Sequence, residues 1–265
     1  MKKLLFLLPI IFLFSNCRET TEGCLNPEAS NFDPSADETC CCEYPQFSVR
    51  FSYNNYSTDT TAFALNSVYN DDGSNPYYIN NISLYISDFE LIKADNSILK
   101  TTDSLEVILQ NGTLTEVIDD IIILKSNLFK YDIGTTTTSG NFIKLRFKVG
   151  LNDLINQTNP EEVETTHPLS DANDLYETDG YIFNKIDIIT DTSATDIMTN
   201  FEIKTPYVQI ELNHNFSIYS GFDTEVKINA DLKKLLETVN FQTDDVNTIQ
   251  SKIVTNAVGI FTIVE

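Results

Sequence analysis

The chain has 265 residues and carries 17 Lys+Arg against 39 Asp+Glu, a formal charge of −22. Without its first sixteen residues, which hold Lys2 and Lys3 and no acid, 15 cations face 39 anions, a formal −24. That balance excludes a nucleic-acid partner, because a phosphate backbone is bound through Lys/Arg clusters and the chain has none. It also argues against anionic membrane surfaces, and it is compatible with divalent cations or with plain solubility.

Residues 1–16, MKKLLFLLPIIFLFSN, read as a lipoprotein signal peptide. Lys2 and Lys3 form a basic head, and the apolar run from Leu4 to Phe14 is too short to span a bilayer. Cys17 follows at once and is the expected lipid attachment site. Asn16 departs from the stricter lipobox but is similar to many Bacteroidetes lipoproteins. The expectation is therefore a protein of the cell envelope, held on the periplasmic face or the outer-membrane surface, where disulfides persist.

Residues 17–45 form a Cys-rich lead: a polar tether, Arg18 to Glu22, then GCLNPEASNFDPSADETCCCEY. It has too few apolar groups to fold on a core, so a disulfide is expected in its place. Cys24, Cys40, Cys41 and Cys42 allow three connectivities. Adjacent cysteines rarely bridge each other, so Cys24 is expected to pair with one of the other three. Asn26, Asn31, Asp33, Asp37 and Glu38 are oxygen donors in a compact loop, which makes calcium a candidate there, although the spacing is not that of an EF-hand. The three consecutive thiols would hold Cu(I) or Zn only if reduced. The lead resembles a short Cys-bounded module frequent in secreted Bacteroidetes proteins.

From residue 46 to 265 the texture is β. Phe47, Val49, Phe51 and Tyr53 alternate with polar residues, which predicts a strand with one wet face. A stretch from Phe63 to Tyr69 leads to a turn at Asn70–Pro76 and a long strand over Ile79–Ile92 that breaks near Asp88. Two strands flank the Asn111-Gly112 turn and the Asp119-Asp120 pair. In the next strand, Ile143, Leu145, Phe147 and Val149 are expected inward and Lys144, Arg146 and Lys148 outward, pairing with acidic neighbours. The long loop that follows is where a site on a β scaffold would be expected.

The stretch His167–Ile188, HPLSDANDLYETDGYIFNKIDI, organises the rest. Pro168 fixes its own φ and biases His167 towards an extended backbone. An Asp179-Gly180 turn then feeds a strand from Tyr181 to Ile188, apolar on both parities and so expected to be central. Residues 191–200 read as a loop, Pro206 marks an edge or bulge, and His214 starts a strand. Two short helices are expected near the C-terminus, the second capped at Thr243–Asp245, before a closing strand. About ten short strands with two late helices predict an all-β fold, an antiparallel β-sandwich forming one domain over 46–265.

No nucleophile elbow, phosphate loop, dinucleotide fingerprint or zinc-protease helix is present, so no enzyme is expected. The pattern Pro-Leu, small polar residues, Leu-Tyr, then Gly-Tyr-Ile-Phe resembles the MbnP-like domain. Residues 77–91, 141–150 and 225–236 are similar to further strands of that family. The resemblance implies a periplasmic or lipid-anchored β-protein that binds copper. Imidazole and thioether are the ligands copper favours, so the implied metal ligands are His167, Met198 and His214. His167 and Met198 are expected to converge at one end of the sandwich. The chain has no Trp, and Glu177-Thr178 stands where relatives carry an aromatic pair. A partner protein in the envelope is the alternative to a metal.

Overall fold

The computed structural model describes residues 19–54, 62–190, 198–204 and 206–264. The expected signal peptide, the expected lipid attachment site Cys17 and the first part of the loop expected over 191–200 lie outside the described residues. The main strands are β1 (Gln46–Ser52), β2 (Pro76–Ile92), β3 (Ser104–Ile108), β4 (Leu114–Ile118), β5 (Ile122–Lys125) and β6 (Lys130–Thr135). They continue with β7 (Gly140–Val149), β8 (Asn184–Ile189), β9 (Met198–Ile203), β10 (Val208–Ile218), β11 (Thr224–Ala230) and β12 (Phe261–Ile263). The sandwich expected from the sequence is present.

One sheet is four-stranded, in the order β6-β1-β11-β12, and the other is an eight-stranded sheet built on β2. Among the described residues, pairing between the main strands is antiparallel with one exception, β1 beside β11, which runs parallel. Strands so far apart in sequence meet through a long return of the chain, and nothing in their local pattern fixes the direction.

The seventeen-residue β2 is the spine. Its first half pairs with β8, from Tyr78 to Leu84, and its second half with β7, from Ile86 to Ile92. The two partners meet at Tyr85, whose N–H donates to Phe183 O (2.8 Å) and whose carbonyl accepts from Gly150 N–H (2.8 Å). On the opposite edge, Ser83–Ile86 pairs with β5. Strand periodicity then sends alternate side chains to opposite faces. Leu84, Ile86, Ile122 and Leu124 join the core under the four-stranded sheet, and Tyr85, Ile121 and Ile123 join a second core on the far face.

The break expected near Asp88 is a bulge. Asp88 has φ 55°, and the β2–β7 register shifts between Arg146 and Lys148. The backbone N–H groups freed there are taken by one buried carboxylate: Asp88 and Phe89 donate to Asp120 Oδ1 and Oδ2 at 3.1 and 2.7 Å. A second bulge, between Phe142 and Lys144, corrects the inward list for β7. Phe142 is buried and Ile143 exposed, while Leu145, Phe147 and Val149 point inward as expected.

Lys144, Arg146 and Lys148 reach Glu211, Glu90 with Glu211, and Asp88 respectively. The cations thus find acids on both neighbouring strands. Of the two helices expected, the first is a 3₁₀ turn, Leu232–Leu236, whose leucines plug the core. The second is α1 (Val246–Ala257), capped by Asp245, whose carboxylate accepts from Thr248 N–H at 2.7 Å.

Cys24 is bonded to Cys42, leaving Cys40 and Cys41 as free thiols. The lead is docked against the sandwich. Glu28 accepts from Ser139 N–H and Oγ–H, both at 2.9 Å, and Glu28 O accepts from Gly221 N–H at 3.3 Å. Four of the oxygen-bearing side chains considered for calcium, those of Asn26, Asn31, Asp33 and Asp37, accept hydrogen bonds within the lead. Asn31 Oδ1 accepts from Glu43 N–H, Asp33 Oδ1 from Ser35, and Asp37 Oδ2 from Thr21.

Burial, and then the facing Asp88 carboxylate, push Asp120 up to about 7, against the two N–H donors that favour its charge. A carboxyl whose folded pKa lies above its unfolded value holds its share of stability below the unfolded pKa and loses it as pH rises through the folded one. Replacing Asp120 by Asn removes this titration. Urea unfolding from pH 4 to pH 7.5 should show wild type losing ground to Asp120→Asn, by roughly 1.4 kcal/mol per pH unit at most. Parallel curves for the two proteins would refute the assignment.

Candidate functional site

The far-face core carries the loop picked out in the sequence. Leu169 is fully buried in it, and two phenols underneath hold the loop's carbonyls. Tyr85 Oη donates to Pro168 O and Tyr181 Oη to Leu169 O, each at 2.7 Å. The two rings meet edge to face at 5.8 Å, and Tyr176 packs on Tyr181 at 5.0 Å. Burial pushes both phenols well above the usual tyrosine range, so each remains an O–H donor.

Local chemistry closes the loop from above. Ser170 caps a 3₁₀ turn over Asp171–Asn173 by accepting from Ala172 N–H, and Asp174 ends it in the left-handed region at φ 54°. Asn173 Nδ2 donates to His167 O at 2.9 Å and Pro168 O at 3.1 Å. Gly180, at φ 130°, lies against Asn156, whose side chain accepts from Tyr181 N–H at 3.0 Å. The central strand itself begins later than its apolar run suggests. Gly180–Tyr181 pairs with Tyr176–Glu177 in a small hairpin, Ile182 and Phe183 fill the far-face core, and β8 starts at Asn184.

His167 sits at the loop's entrance with both ring nitrogens engaged. Nε2 lies 2.9 Å from Asp119 Oδ1, and Nδ1 accepts from Leu169 N–H at 3.1 Å. The backbone donor fixes the lone pair on Nδ1 and the proton on Nε2. The pair borders a cleft of about 460 Å³ between the loop, β5 and β6. Asp103, Asp119 and Asp132 give its mouth a negative character, and Ile121, Ile133 and Tyr131 line it with apolar surface. Among the described residues, Lys125 is its one lining cation. Asp103 is tied back by Thr135, whose Oγ–H and N–H both donate to it.

The other two implied metal ligands lie elsewhere. Met198 is no loop residue. It opens β9, 52% exposed, opposite Ile189, which is level with Tyr78 at the start of the spine. His214 lies inside β10, stacked on Phe216 at 5.8 Å, one residue past Asn213, which is level through Lys144 with Ile92 at the spine's far end. His167 is held at the middle, over Tyr85. At about 3.3 Å per strand residue, Met198 and His214 are on the order of 40 Å apart. Among the described residues no group of three or more His, Cys, Asp or Glu is placed to hold a metal ion. Sequence reasoning missed Asp119 as the partner of His167, since the two lie 48 positions apart and share no motif.

With two hydrogen bonds on one ring, His167→Ala should lower stability by about 1–2 kcal/mol in urea unfolding. Long-range ¹H–¹⁵N correlation of the wild-type imidazole should show a protonated Nε2 and a bare Nδ1. The reverse tautomer would remove the Leu169 contact from the account.

Comparison with known proteins bears on most of the sandwich. The family model for MbnP matches residues 45–253. No curated protein matches. A solved structure, MbnP from Methylosinus trichosporium, aligns at 15% identity and a TM-score of 0.44, covering 75% of this chain and 79% of that one. On the match to most of its length, the chain belongs to the MbnP family.

Proposed function

We propose that this protein is a non-catalytic binding protein of the cell envelope, anchored by lipid on Cys17, and that its site is the cleft beside His167 and Asp119. The observation that carries this reading is the rigidity of the signature loop. Two buried phenols, an asparagine and a capped 3₁₀ turn hold it at the edge of a cleft. Such preorganisation lowers the ordering cost of binding. The cleft's chemistry, carboxylates around an apolar floor, suits a cationic group on an apolar stem. A basic side chain of an envelope partner protein has that form.

Copper, which the family resemblance implies, fits these residues poorly. His167 would ligate only by giving up one of its two hydrogen bonds, and neither Met198 nor His214 is near enough to complete a centre. Separate Cu(I) and Cu(II) titrations of the protein should therefore show no tight equivalent that depends on His167. One tight equivalent lost in both His167→Ala and Met198→Ala would overturn this reading in favour of a metal carrier.

The anchor is tested by fractionation. Wild type should sediment with membranes and carry a diacylglyceryl mass on Cys17, and Cys17→Ser should leave the membrane fraction. A wild-type protein that is soluble and unmodified would remove the lipid from the account.

A further inference from the structure

Between β10 and β11 the chain makes a tight turn, Tyr219-Ser220-Gly221-Phe222, closed by Phe222 N–H donating to Tyr219 O at 3.1 Å. Gly221 takes φ 76°, a conformation that costs glycine little. The turn carries aromatic rings at its first and last positions, and both stand in solvent, Tyr219 68% and Phe222 69% exposed. One short turn thus leaves two large rings in solvent.

The lead holds this turn in place. Ser220 Oγ–H donates to Pro27 O, and Gly221 N–H donates to Glu28 O at 3.3 Å. The Glu28 carboxylate also ties down Ser139 on the loop before β7. A Cβ on Gly221 would come within 3.2 Å of Ala29 O, so the glycine also permits the close approach. Near its start the lead is held at Thr21, whose N–H and Oγ–H donate to Asp37 Oδ2 at 3.1 Å each. From Thr21 back to Cys17 there are four residue steps, about 14 Å of fully extended chain.

We infer that the Tyr219–Phe222 turn is the membrane-facing tip of the protein, and that its two rings sit in the interfacial region of the leaflet that holds the Cys17 lipid. The inference rests on the lipid-anchor reading. A tether this short keeps the lead at the bilayer surface, and the lead carries the turn with it. Exposed aromatic rings partition to the headgroup boundary, where an apolar body meets water. The acidic lead excludes an anionic surface and leaves a zwitterionic one as the fit. Seated this way, the lead sets the orientation of the whole sandwich on the membrane.

The chain has no Trp, so a single introduced indole reports its own surroundings. The test places full-length lipidated Phe222→Trp in phosphatidylcholine vesicles, with Leu114→Trp as the control. Leu114 is 61% exposed at the tip of the β3–β4 hairpin. Brominated acyl chains should remove most of the emission of Phe222→Trp and leave that of Leu114→Trp unchanged, and acrylamide should do the opposite. Equal acrylamide quenching of the two variants, with the Cys17 lipid confirmed by mass, would overturn the membrane contact and leave the anchor standing. Shielding of the indole in Phe222→Trp without bromolipid quenching would assign the turn to a protein contact instead. A Cys17 without lipid would remove the anchor, and this inference with it.

Discussion

The fold depends on one strand that is buried on both faces at once. At Leu84–Ile86 the spine carries cores on its two sides, with a partner strand on each edge. Every backbone group in such a strand must find a protein partner, because no water is there to substitute. At the Asp88 bulge, where the ladder to β7 is interrupted, the N–H groups of Asp88 and Phe89 go to the Asp120 carboxylate. A carboxylate buried so deeply is tolerated because it satisfies backbone that would otherwise be orphaned.

The same region sets the charges beside it. The Asp88 side chain, turned outward by the bulge, meets Lys148 at 2.7 Å and Asn152 at 3.1 Å. Burial works against its charge, but the Lys148 contact and the Asn152 hydrogen bond hold its pKa below the usual value. Arg146 bridges Glu90 and Glu211 one step along, and the Lys148 ammonium lies 4.2 Å over the Tyr207 ring. Each pair is partly solvated and contributes on the order of tenths of a kcal/mol. Their value lies in register. Three cations on one strand between acids on both neighbours disfavour a one-residue slip, which would turn the cations towards the core face and away from those acids.

Alternation made much of this legible. Phe47, Val49, Phe51 and Tyr53 predict β1 and are buried, and the Lys144, Arg146, Lys148 row predicts its own acidic partners. The bulges were only half legible. Asp88 announced a break, but nothing near Ile143 signals that it leaves the core, because a bulge is settled by the partner strand's register. The parallel β1–β11 pair and the Asp119–His167 contact are long-range facts that a local pattern does not contain. The lead's docking was hidden for a similar reason, since Glu28 reads as one more acid until Ser139 and Gly221 are placed beside it.

The signature loop shows how a motif can be legible in the sequence while its ligand is not. Pro168, Leu169, Tyr176, Gly180 and Tyr181 are what the motif specifies, and each has a structural role. Pro168 fixes a φ, Leu169 is a buried plug, and Tyr176 packs edge-on against the Tyr181 ring. Gly180 permits a close approach to Asn156, and Tyr181 sets a hydroxyl on a loop carbonyl. These roles build the loop whatever it binds. The residues that line the cleft beside the loop, among them His167, Asp119, Asp103 and Asp132, lie outside what the motif specifies. In this chain the side chains that border the loop form an acidic cleft, with the candidate thioether at the far end of β8.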